Sequence, residues 1–142
     1  MVKMNINLLS KEEQLSAVLK NGTCIQHIKE PCLEVQLAAV NNNGISIRHI
    51  NDPYLEVQLI SVNKNGHHIQ YIKDPCYEVQ LAAVNQNGWN IVYIKTPGYE
   101  LQLTAIQNNK NTRKYHFEYI KQFITYPDLL ELLEIKMLGC KR

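Results

Sequence analysis

The side chains in this 142-residue sequence best suited to chemistry are its histidines and cysteines: His27, His49, His67, His68, His116, Cys24, Cys32, Cys76 and Cys140. A zinc site needs ligands about 2 Å from one ion and usually draws them in closely spaced pairs. No Cys-x-x-Cys or Cys/His knuckle occurs, and His27 and His49 stand 22 residues apart. Equivalent positions on packed neighbouring helices lie about 8–10 Å apart, too far to share a metal. The same argument separates Cys32 from Cys76 by roughly 20 Å, beyond disulfide reach. Four free thiols, no metal and no cofactor are expected. Nor is there a Gly-rich phosphate loop, a Ser or Cys nucleophile motif or a carboxylate pair, so the sequence predicts a protein that is not an enzyme.

Recognition is the chemistry that remains. His27, His49, Tyr71, Tyr93 and, after an insertion, Tyr119 place a ring at equivalent positions, beside a column that varies as Thr23, Ile45, His67 and Trp89. Large rings with a polar tip bury area yet tolerate water, which suits an interface. His49, Tyr71, Tyr93, Trp89, His67 and Tyr119 are therefore the candidate residues for a protein partner, with Trp89 as anchor. The plainer reading is that the rings only cover a layer of the fold. Cys24, Ser46, His68 and Asn90 vary in the same way and are grouped with the functional columns.

A second surface is basic. Lys110, Arg113, Lys114 and Lys121 face one opposing residue, Glu118, and Tyr115 and His116 could stack on bases. Nucleic-acid binding is the alternative function, set against a solvated loop. Whole-chain charge gives it no help, because 15 Lys and Arg oppose 13 Asp and Glu for a net +2.

The elements that must position these residues are written in a repeat. Gly22, Gly44, Gly66 and Gly88 are spaced by 22, as are Pro31, Pro53, Pro75 and Pro97. Each unit predicts a helix of about ten residues, a Gly in the left-handed conformation that stops it, a short helical turn, and a proline at N1 of the next helix, as in Asp52-Pro53 and Asp74-Pro75. Ser10 with Glu13 predicts a capping box. Ile25/Ile28 and their copies at a spacing of three fall on one face of the short turn. Gln14, Gln36, Gln58, Gln80 and Gln102, and Asn21, Asn43, Asn65, Asn87 and Asn109, form amide columns. They read either as a ligand groove or, in preference, as ladders that satisfy backbone groups at every turn.

Helices this short are marginal alone and must stack on their neighbours. The fold expected is all-α: a right-handed solenoid of about five 22-residue two-helix repeats forming one domain. Residues 1–10 make an N-terminal cap, 11–121 the repeats and 122–142 a C-terminal capping helix with apolar residues from Leu129 to Leu138. No stretch is long and apolar enough for a bilayer, and Met1–Ser10 lacks the form of a secretory signal. A cytoplasmic protein without membrane contact is expected.

Units such as Glu78-Val79-Gln80-Leu81-Ala82-Ala83-Val84-Asn85-Gln86-Asn87-Gly88 resemble an uncharacterised short helical repeat of large DNA viruses and some bacteria, over roughly residues 12 to 107. More distantly they are similar to leucine-rich variant repeats, in which an α-helix alternates with a 3₁₀ helix. The resemblance implies that alternation and carries no catalytic residues. Its viral branch implies a variant of the partner-binding reading, an inhibitor of a host or defence protein.

Overall fold

A computed structural model describes residues 10–109 and 114–139, with backbone alone at 114–116. The described residues are helical and contain no strand, and none of their helices is long and apolar enough to cross a membrane. The chain divides into two compact units, residues 1–74 and 75–142. The expected N-terminal cap, apart from Ser10, lies outside the described residues, as does Cys140.

In the first unit α1 (Lys11–Lys20), α2 (Leu33–Asn42) and α3 (Leu55–Lys64) alternate with 3₁₀ segments η1 (Gly22–His27), η2 (Gly44–His49) and η3 (Gly66–Tyr71). Successive α-helices pack on each other, and so do successive 3₁₀ segments. The core follows the sequence pattern: Val35, Ala39 and Val40 of α2 are buried together with Ile25 and Ile47 of the short segments. In the second unit α4 (Tyr77–Gln86), η4 (Gly88–Tyr93) and α5 (Tyr99–Gln107) continue the alternation. Then α6 (Lys114–Lys121) takes the place of a 3₁₀ segment, and α7 (Pro127–Gly139) packs on α5 and α6.

Ser10 and Glu13 form the expected capping box on α1. The other punctuation differs from expectation. No described glycine has positive φ. The long helices stop instead at an asparagine in extended backbone: Asn21, Asn43, Asn65 and Asn87, with φ from −146 to −157°. Each of these starts the next turn by accepting, through Oδ1, the N–H two residues on, at Thr23, Ile45, His67 and Trp89. That is an Asn N-cap, so each of these asparagines lies just past the end of its long helix.

At Gly22 and Gly88 the glycine that follows is required by close approach to the backbone of the next helix. A Cβ on Gly22 would overlap the Ala39 carbonyl of the next helix, and Gly22 N–H donates to Asn42 Oδ1 at 2.9 Å. Nor does proline begin the repeated long helices, although Pro127 does begin α7. The N-caps are Cys32, Tyr54, Cys76 and Gly98, none with a side-chain cap, and Asp74, before Pro75, has φ 49°. The glutamine column does that work: Nε2 of Gln36, Gln58, Gln80 and Gln102 donates to the carbonyl of Pro31, Pro53, Pro75 and Pro97 at 2.7–3.0 Å. The amide columns are structural ladders here, joined by the first-turn acids Glu34, Glu56, Glu78 and Glu100 at the positive ends of the helices.

Candidate functional site

The 3₁₀ segments present the sequence-selected rings, and each unit holds its own group. In the first unit Tyr71 at the end of η3 is exposed, with the Arg48 guanidinium of η2 6.0 Å from its ring centre. His68 lies 6.5 Å from the same ring at a tilt. His49 is half-buried beside Arg48, and its pKa is lowered by burial first, then by the charges of Arg48 and His27. His67 is half-buried, its backbone N–H on Asn65 and its carbonyl accepting from Gln70.

In the second unit Trp89 is half-buried and stacks on Tyr119 of α6, with centroids 5.0 Å apart and planes at 27°. Tyr119 remains 43% exposed and also touches Phe123 at 5.6 Å. Tyr93 is half-buried. The insertion thus lets an α-helix supply the ring against which Trp89 packs.

The varying column Cys24, Ser46, His68 and Asn90 belongs to the core rather than the surface. Ser46, His68 and Asn90 are buried and Cys24 half-buried. Asn90 Nδ2 donates to the Ala83 carbonyl at 2.8 Å, and His68 Nδ1 sits 3.0 Å from the equivalent Ser61 carbonyl. A carbonyl only accepts, so Nδ1 carries the proton. Burial lowers the His68 pKa, partly opposed by that hydrogen bond. Ionisation is therefore easier in the unfolded chain, and stability falls as pH drops below about 6.5, toward the lower folded value. His68→Asn, which copies the Asn90 arrangement, should keep the bond and flatten that dependence. Urea unfolding of both proteins at neutral and mildly acid pH measures it; equal pH dependence would exclude His68 as the source.

Among the alternative basic residues, Lys110 and Arg113 lie outside the described residues, and the side chain of Lys114, in the first turn of α6, is likewise undescribed. Lys121 pairs with Glu134 of α7 at 2.6 Å, which holds its pKa above the usual lysine value. Cys24, Cys32 and Cys76 are unbridged. A cleft of about 550 Å³ opens in the first unit between the Pro31 and Pro53 turns, with Lys29, Cys32, Asp52 and Tyr54 on its walls. Set against known proteins, the chain matches no family model, no curated protein and no solved structure.

Sequence reasoning missed a further set of exposed side chains at the starts of the long helices: Leu33, Tyr54 and Leu55 in the first unit, Tyr77, Tyr99 and Tyr126 in the second. Tyr77 Oη donates to Glu100 at 2.8 Å and Tyr99 Oη to Asp128 at 2.6 Å, and both phenols have raised pKa for that reason. The signal was available, since positions 33, 55, 77 and 99 are apolar or aromatic yet precede the buried set that begins at Val35.

Proposed function

We propose that the chain is a non-enzymatic protein-binding module, a right-handed solenoid of about five two-helix repeats with a capping helix, of the viral and bacterial repeat type that its units resemble. The observation that carries the reading is the placement of Arg, Tyr and Trp, the residue types that dominate binding hot spots, on 3₁₀ segments whose backbone is fixed by asparagine caps. In the first unit the Arg48–Tyr71 pair faces solvent on such a frame. In the second, Trp89 and Tyr119 form a stacked ring pair with one side open. Rigid rings of this kind lose little side-chain entropy on binding. His49, His67 and Tyr93 complete the two ring groups, and occupation of a host or defence protein is the variant tied to the resemblance.

Tyr71→Ala and Tyr119→Ala each remove a partly exposed ring and should weaken partner binding by about 2 kcal/mol, close to thirtyfold. The melting temperature of Tyr71→Ala should stay near wild type, whereas Tyr119→Ala, which also loses the stack on Trp89, should melt lower. Capture of the partner on immobilised chain, with and without nuclease, followed by titration of each variant, checks it. Capture that disappears with nuclease, or falls steeply with salt, would return the function to the basic segment. Unaltered binding in both ring variants would remove the proposal.

A further inference from the structure

Tyr77, Tyr99 and Tyr126, at the starts of α4, α5 and α7, are 50%, 41% and 39% exposed. The fold does not demand rings there, because the positions equivalent to Tyr77 and Tyr99 in the first unit hold Leu33 and Leu55. In that unit the first-turn carboxylate of Glu34 is paired with Lys11. In the second unit hydroxyls take the place of the lysine: Tyr77 Oη donates to Glu100 and Tyr99 Oη to Asp128, and Tyr99 meets Tyr126 edge to face at 5.0 Å. A hydroxyl positions a carboxylate without cancelling its charge. Among the described residues no lysine or arginine pairs with Glu78, Glu100 or Asp128. Lys95, in the turn before α5, is already engaged in an interaction of its own.

Because α4 packs on α5 and α5 on α7, these groups follow one another in a strip of rings and carboxylates: Tyr77, Glu100, Tyr99, Asp128 and Tyr126. We propose that the strip binds an extended basic segment of another protein, with a lysine or arginine at every third residue. Each cation lies over a tyrosine face beside a carboxylate, where the ring quadrupole and the negative charge attract it together. The spacing follows from the fold. Neighbouring helices stand about 8–10 Å apart, and a polyproline II chain, rising about 3.1 Å per residue, returns to the same side every three residues, or about 9.3 Å.

The helix starts oppose a cation only in part. Each contributes about half a positive charge, and each is offset by a full negative charge in its first turn, from Glu78, Glu100 or Asp128. Exposed contacts of this sort are individually weak, so the affinity is modest and falls with salt.

A fluorescein-labelled peptide of Lys-Pro-Pro repeats, titrated against the full chain at low salt, tests this. It should bind several times more tightly than a peptide of the same composition with its lysines in one block. Glu100→Gln combined with Asp128→Asn keeps an amide oxygen for each tyrosine hydroxyl. That variant should melt as wild type does and bind the repeat peptide about tenfold more weakly, as expected for the loss of two exposed ion pairs. Tyr99→Leu, which copies Leu55, should weaken binding about threefold. A wild type that does not bind the repeat peptide, equal affinity for the block peptide, or a charge-neutral variant that binds as tightly as wild type overturns the proposal. Tyr71→Ala, in the first unit, should bind the peptide as wild type does, so this titration and partner capture fail independently.

Discussion

Gly88→Ala should destabilise the protein by about 3 kcal/mol and lower its melting temperature by about 10 °C, although it adds a single methyl group. The cause is proximity: an added Cβ would overlap the Ala105 carbonyl oxygen and lie 2.7 Å from Ala105 C and 2.9 Å from Asn109 N. These are backbone atoms of the next helix and its end, and they cannot rotate away as a side-chain tip can. Separation of the two segments would also strain the bond from Gly88 N–H to the Asn108 carbonyl, 3.1 Å in length. Two controls give the prediction its force. At Gly44 the nearest atoms are His68 Cε1 at 2.9 Å and Lys64 Cδ at 3.1 Å, both side-chain atoms, so Gly44→Ala should cost less. At Gly98, the N-cap of α5, nothing lies within 4 Å, and Gly98→Ser should be neutral or slightly stabilising because it supplies the missing cap hydroxyl. Thermal unfolding of the three variants gives the order; equal effects at Gly88 and Gly98 would remove the close-approach explanation.

The glycines also mark where the sequence could and could not be read. Their period of 22 was visible and gave the helix lengths, the short turns and the buried Val, Ala and Ile positions, because burial patterns depend on spacing alone. The reason for each glycine was not visible. A left-handed stop and a tight interhelical contact both demand the absence of Cβ, and nothing local distinguishes them; the same ambiguity hid the helix start, which falls two residues after Pro31 at Leu33. The column of Cys24, Ser46, His68 and Asn90 misled for a different reason. Variation looked like surface freedom, but the site is a buried niche that tolerates several chemistries: His68 and Asn90 use different atoms to reach the same carbonyl position. Trp89 and Tyr119 stand 30 residues apart across the irregular insertion, so their stacking followed from no period in the sequence.

Gln102→Leu should cost about 3 kcal/mol, although leucine is the more apolar residue and nearly matches its volume. The side chain is fully buried and uses both ends of its amide: Nε2 donates to the Pro97 carbonyl at 2.7 Å and to Thr125 Oγ1 at 2.9 Å, while Oε1 accepts from Thr125 N–H at 2.8 Å. Leucine would gain little from a site already dry and would leave a carbonyl and an N–H without partners, each worth about 1–3 kcal/mol when desolvated. The effect should be graded along the column. Gln58 is half-buried and donates once, to Pro53 at 2.8 Å, so Gln58→Leu should cost about 1 kcal/mol. Gln102→Glu offers a sharper discrimination. Its carboxylate could still accept from Thr125 N–H but would oppose the Pro97 carbonyl, and burial would raise its pKa. Stability of that variant should therefore rise as pH falls through the folded value, when the acid gains a proton to donate, whereas Gln102→Leu should show no such recovery. Urea unfolding midpoints for the three variants across mildly acid to neutral pH measure the series. If Gln102→Leu unfolds with wild-type stability, the column is not what closes the helix starts, and the ladder role of the glutamines is lost with it.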